Sequence, residues 1–252
     1  MPLSLRLKAS RSCLGFTLAE VATVMVIVAL VLGGIMMSLP TQIENARMSE
    51  ARSLSDNVRS ALLGYAIQNQ FLPCPDITGN GLEGRAPAGN CTSNEGWLPF
   101  ATLGLSRTDP WGNRVRYRVD PAYADNAAPI TLATPAAALD VCTTATCTAV
   151  LADNVPAVWV MHGDNGLRAR GSAFNLHSAM EPIGADEAAN ADGRNALDTI
   201  TNPCAPATPA PCRFVMHDPQ EAAAVGGEFD DVVNWLPPGI LLNRLIEAGT
   251  LP

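Results

Sequence analysis

Gly15-Phe16-Thr17-Leu18-Ala19-Glu20 runs directly into an apolar stretch from Val21 to Leu39, VATVMVIVALVLGGIMMSL. No charged residue occurs between Val21 and Ile43, and one carboxylate, Glu20, stands at the head of the stretch. A helix of about 20 apolar residues is long enough to cross a bilayer core. The basic residues Arg6, Lys8 and Arg11 lie only on the N-terminal side. Because positive charge is retained in the cytoplasm, this pattern predicts a single-pass protein with its N-terminus inside and everything after Pro40 outside. A secretory signal would place small residues after the apolar core, and Gly34 and Ser38 are the candidates. The better processing signal lies before the core. A lone acid against lipid is costly, so Glu20 calls for a function.

Gly15-Phe16-Thr17-Leu18-Ala19-Glu20 ahead of an apolar run resembles the processing signal of the type IV pilin and type II secretion pseudopilin family. The resemblance covers about the first 30 residues. It implies that a prepilin peptidase cuts between Gly15 and Phe16 on the cytoplasmic face and that the new Phe16 amine is N-methylated. It implies a helix that anchors the protein in the inner membrane before assembly and packs the core of a filament afterwards. In that filament Glu20 would pair with the Phe16 α-amine of a neighbouring subunit, where an unpaired charge is costly. The plain alternative is a signal anchor with a chance glutamate near its cytoplasmic end.

Composition bounds the part beyond the anchor. The chain has 252 residues, which leaves room for one sizeable domain after the apolar run. Loss of the leader's three basic residues leaves 13 arginines and no lysine against 24 acids, a balance of −11. Such a surface is a poor average partner for nucleic acid. Twenty glycines and twenty prolines indicate a loop-rich domain. Cys13 belongs to the leader, and Cys74, Cys91, Cys142, Cys147, Cys204 and Cys212 remain. An even set in an exported domain predicts disulfides, with local pairing (74–91, 142–147, 204–212) the simplest of 15 connectivities. Zinc is the rival, but no C-x-x-C pair is present.

Beyond the bilayer, Ile43, Arg47, Ala51, Leu54, Val58, Ala61 or Leu62, and Tyr65 recur at the helical period. They predict an amphipathic stem over 40–72, kinked at Pro40 and ending near Phe71-Leu72-Pro73. The predicted parts are a leader (1–15), a transmembrane and assembly helix (16–39), the stem (40–72) and a globular head (73–252). Asp76, Thr78, Asn80 and Glu83 place oxygens at close spacing around two glycines, a pattern that suggests calcium without matching the EF-hand spacing. A disulfide-tied loop without metal is the alternative.

Asp109-Pro110-Trp111-Gly112-Asn113 reads as a turn. The alternating segment Arg114 to Val119 reads as a half-buried strand, with Val115, Tyr117 and Val119 inward and three arginines on the other face, read as solvated, with an acidic neighbour as the alternative. This turn and strand also resemble a head-domain motif of type II secretion major pseudopilins. Residues 120–154 suggest a hairpin or loop around Cys142 and Cys147. Ala157 to Met161 reads as a central strand ending at a turn, 162–166. Residues 181–202 read as an exposed acidic loop, and Arg213 to His217 as a short strand. Phe229 to Leu236 reads as a helix with acids in its first turn. Ile240 to Ala248 reads as another helix, stopped by Gly249.

The histidines are His162, His177 and His217, with Asp164 and Asp218 near two of them. No Gly-x-Ser-x-Gly, His-Glu-x-x-His or phosphate-binding glycine loop occurs, so the reading is structural rather than enzymatic. The fold expected is α+β and pilin-like: a long N-terminal helix on an antiparallel head with disulfides. By the resemblance, the partners are other pilin or pseudopilin subunits, the prepilin peptidase, membrane lipid and an ATPase-driven inner-membrane assembly platform. The filament would be periplasmic or extracellular, and the size of the head suggests a minor subunit. The alternatives are a filament-displayed binding subunit, for adhesion or DNA uptake, and a stand-alone anchored periplasmic protein.

Overall fold

The computed structural model describes residues 15–36, 39–167, 169–173, 184–191, 212–221 and 227–251. The chain divides into two units, Met1–Ala46 and Arg47–Pro252. In the first, helix α1 (Leu18–Met36) has 19 residues and takes in the apolar run as far as Met36. Its described side chains, Leu18 and Val24 to Val28 among them, are exposed. Among the described residues no helix is long and apolar enough to cross a membrane. The predicted span of 16–39 includes residues 37 and 38, which lie outside the described residues.

Helix α2 (Leu39–Asn69) is the second element. Ala51, Leu54, Val58, Leu62 and Ala66 are buried along one face, spaced by three or four residues as a helix requires. Tyr65 is half-buried, and Ile43, in the first unit, is exposed. The helix stops before the predicted Phe71-Leu72-Pro73. Gln70 takes a left-handed φ of 67° and its N–H donates to the Ala66 carbonyl at 2.7 Å.

The strands are β1 (Glu95–Trp97), β2 (Arg116–Val119), β3 (Leu139–Cys142), β4 (Val150–Ala152), β5 (Ala157–Met161), β6 (Cys212–Val215) and β7 (Val232–Leu236). Short helices α3 (Phe100–Leu103), α4 (Pro121–Ala124) and α5 (Ala185–Asn190) lie between them, and α6 (Pro238–Glu247) follows β7. Strands β1-β2-β5-β7 form an antiparallel sheet in that order. A second sheet runs β4-β3-β6, with β3 and β6 parallel. The head is therefore α+β, and its main sheet is antiparallel.

Each face of the main sheet has its own core. Tyr117, Val119, Trp159, Met161 and Leu236 pack with the α2 stripe and with Leu241 and Leu245 of α6. The Trp159 indole N–H donates to Ser55 Oγ of α2 at 3.2 Å. On the other face Val158, Val160 and Val233 pack with Leu139, Val141 and Phe214 of the second sheet. Cover on both faces explains why Ala157 to Met161 is apolar throughout rather than alternating.

Three predictions are corrected. Residues 232–236 form β7 instead of a helix. Val232, Val233 and Trp235 favour a pleated surface, and the segment pairs with β5 from Met161↔Val232 to Ala157↔Leu236. The arginine face of β2 is not solvated: Arg114 is buried against the Phe100 ring, and Arg116 under Phe214 and the end of α5. Arg116 stacks 5.3 Å from the Phe214 ring and donates to the carbonyls of Asn190, and of Ala191 at 2.7 Å. Within 181–202, the described part forms α5, with Glu187 and Asn190 buried instead of exposed. The other elements agree with the sequence reading: β2, β5, β6, α6 and a β3–β4 hairpin around Cys142 and Cys147. Gly249 comes just after α6 with a φ of 71°.

Candidate functional site

At the N-terminus Thr17 precedes α1 and Glu20 is its third residue. Glu20 Oε2 accepts from the Thr17 N–H and from its hydroxyl, both at 2.9 Å, and the Glu20 N–H donates to Thr17 Oγ1 at 3.3 Å. This is a capping box: the cap hydroxyl and the third-residue carboxylate each satisfy a backbone donor that the helix start leaves free. The box holds the carboxylate on the N–H of Thr17, next in the chain to Phe16, whose side chain is exposed. Phe16, Ala19, Glu20, Val21, Val24 and Met25 line one apolar groove. Gly15 lies just outside the helix, with open space where a Cβ would stand. Thr17 and Glu20 carry the residue types and the spacing of a capping box, which is the sequence signal for this role.

Cys74–Cys91 and Cys142–Cys147 are disulfide-bonded, as local pairing predicts. Cys204 and the side chain of Cys212 lie outside the described residues, as does His177.

The oxygens expected to favour calcium are taken by protein donors. Asp76 is buried. Its Oδ1 accepts from the N–H groups of Thr78 and Gly79 at 2.8 Å and from the Thr78 hydroxyl at 3.2 Å, and its Oδ2 accepts from the Gly81 N–H at 2.6 Å. Asn80 Oδ1 accepts from the Leu82 N–H. Glu83 turns elsewhere, accepting from the Tyr65 hydroxyl, the Cys74 N–H and Arg85. The Tyr65 hydroxyl is pushed up to about 12, first by burial and then by the Glu83 charge.

A different set of acids converges at the ends of β5 and β7. His162 comes directly after β5, and its Nδ1 lies 3.2 Å from Asp231 Oδ1. In the next turn, the Asn165 N–H donates to Asp230 Oδ2 at 2.9 Å and the Asn165 amide donates to Glu187 Oε1 at 2.7 Å. Glu187 arrives from α5. Gly163, at a φ of 53°, passes so close that a Cβ would sit 2.6 Å from the Asp230 carbonyl oxygen. That contact and that φ admit only glycine. Burial pushes the Glu187 carboxyl up to about 8, and Asp231 and Asp230 add to the rise. Burial likewise pushes Asp230 up to about 6, against the Asn165 N–H, which lowers it. Nearby, burial also raises Asp109 to about 6, although it accepts from Asn113 at 2.8 Å and Trp111 at 3.0 Å.

Glu187, Asp230 and Asp231 are the one group of acids among the described residues whose oxygens could jointly hold a metal. In the sequence, Glu187 reads as part of a loop and the two aspartates as part of a helix. No local signal joins residues so far apart. His217 meets the Asp218 carbonyl oxygen through Nδ1 at 2.7 Å, and its Nε2 lies 3.5 Å from the Asp186 carboxylate; the ring stacks on Phe229.

Compared with family models, curated proteins and solved structures, the chain matches none.

Proposed function

We propose that the chain is a pilin-type filament subunit: cut before Phe16, held in the inner membrane by residues 16–39, and assembled through that helix. The observation that carries this reading is the start of α1. A capping box fixes Glu20 at the helix N-terminus on the N–H of Thr17, the residue after Phe16, and beyond it runs an uncharged, apolar helix whose described side chains are exposed. An apolar helix exposed all round belongs in lipid or in contact with other helices. Cleavage after Gly15 would free an amine one residue before the cap. The carboxylate would then be placed to meet an amine, its own or a neighbour's, in surroundings that favour pairing. The head, with its disulfides, is the part displayed outside.

Intact mass and N-terminal sequence of the protein from its native membrane test this, beside a Glu20→Val variant. The expected result is a methylated Phe16 start in both, with the variant missing from sheared filaments. A chain starting at Met1, or beyond Ser38, overturns the reading.

A further inference from the structure

The two disulfides of the head sit in different surroundings. Cys74 is fully buried, Cys91 packs against the main core, and the Cys74 N–H donates to Glu83 at 3.1 Å. That bridge closes 17 residues. Cys142–Cys147 closes five, in the turn that joins β3 to β4, where Thr146, Thr148 and Ala149 are exposed. Cys142 is fully buried at the end of β3 and Cys147 is half-buried, so an incoming thiolate meets this pair through Cys147. Cys147 also holds a left-handed φ of 55°, a conformation disfavoured for any residue with a Cβ.

The bridged loop is joined to α5. Inside it the Ala145 N–H donates to Asp186 Oδ1 at 2.6 Å, and Asp186 stands in the first turn of α5. The other end of that helix is fixed separately. Asn190 exchanges two hydrogen bonds with the Val215 backbone, both at 2.8 Å, and Arg116 donates to the Ala191 carbonyl. Asp186 is thus the side chain through which the shape of the bridged loop reaches the start of α5.

We propose that Cys142–Cys147 is a thiol-exchange site that works in the folded protein: a dithiol reductant opens it, the opening loosens the start of α5, and Cys74–Cys91 stays closed. The reductant's thiolate attacks Cys147 Sγ and forms a mixed disulfide, while Cys142 Sγ leaves as a thiolate and takes up a proton. The reductant's second thiol then attacks its own bridged sulfur. That releases Cys147 as a thiol and leaves the reductant as a disulfide, so two electrons pass to the protein. Access through Cys147 and relief of its backbone favour exchange here over the core bridge. Because the bridge restricts only five residues of the unfolded chain, its loss costs the fold less than loss of the 17-residue bridge. The site is independent of how the N-terminal helix is used.

The test is timed reduction of the full-length protein in detergent with dithiothreitol, with alkylation mapped to each cysteine and hydrogen exchange followed by mass. Cys142 and Cys147 should be alkylated about tenfold faster, or more, than Cys74 and Cys91. At that stage exchange should rise in residues 143–148 and 184–188 and stay unchanged in β5. Changing Cys142 and Cys147 together to serine should give the same exchange pattern without reductant. Asp186→Ala should raise exchange at 184–188 with the bridge closed. Equal alkylation of the two pairs overturns the proposal, as does loss of protection in β5 together with the bridge. Unchanged exchange at 184–188 in the reduced protein overturns it as well, and so does unchanged exchange there in Asp186→Ala.

Discussion

At the scale of single residues, Glu20 holds two roles that substitution can separate. As the third residue of α1 it accepts from the cap N–H, and a glutamine there serves a capping box as well. As a charge it would pair with an amine, which a glutamine cannot do. Glu20→Gln should therefore keep the helix start and be cut normally, yet fail to enter filaments. Glu20→Val should in addition weaken the helix start, because the Thr17 N–H loses its acceptor. Quantifying sheared filaments against membrane-retained protein separates the two roles. A glutamine variant that assembles at the wild-type level leaves capping as the only role. Asp109 offers a second test. Its carboxyl is raised to about 6, mainly by burial, so the folded protein binds its proton more tightly than the unfolded chain does. The stability this contributes is complete below the unfolded value near 4 and is lost as pH rises through about 6. Denaturant titrations from pH 4 to 7 should show a decline of up to about 3 kcal/mol from this group. Asp109→Asn, which keeps the acceptor for Trp111 and Asn113, should flatten that decline.

Among the elements, β2 marks the boundary of what the sequence discloses. Its alternation is legible, and Val115, Tyr117 and Val119 are buried as predicted. The fate of the opposite face is not, because strands β3 and β6, both later in the chain, decide it. Local pattern cannot say whether a sheet has one covered face or two. The arginines reveal the cover through their partners: Glu95 on β1 forms ion pairs with both Arg116 and Arg118. Burial holds the Arg118 guanidinium down at about 10. Glu95→Ala strands both cations and should cost about 3–5 kcal/mol in urea unfolding. Arg118→Met leaves the Arg116–Glu95 pair in place and should cost less. Equal losses would show that the pairs do not act through charge. The β7 error has a similar origin. Asp230 and Asp231 imitate the acids of a first helical turn, while the β-branched residues after them carry the correct signal. Cys74–Cys91, by contrast, is legible because its loop is local. It closes 17 residues. Changing both cysteines to serine should remove about 3 kcal/mol.

For the whole molecule, the division at Arg47 predicts which fragment folds. The sequence places the head at 73–252, because the turn residues begin there. The structure puts its main core across that boundary: Ala51, Leu54, Val58, Leu62 and Ala66 of α2 are buried against Trp159, Met161 and Leu236. Burying a leucine or valine side chain contributes about 1.5–3 kcal/mol. Leu54, Val58 and Leu62 together approach the total stability of a domain, about 5–15 kcal/mol. A fragment of residues 73–252 also uncovers the apolar face of the main sheet, a surface large enough to drive association. A fragment of residues 47–252 keeps the stripe and discards the exposed apolar helix. Expressed in an oxidising compartment, it should be monomeric, with one cooperative unfolding transition reported by Trp159 fluorescence. The 73–252 fragment should aggregate or show no transition. Light scattering and denaturant titration of the two fragments decide the matter. A cooperative, monomeric 73–252 fragment would mean that the sheet supports itself and that α2 is an added stem; failure of both would mean that residues before Arg47 belong to the folding unit.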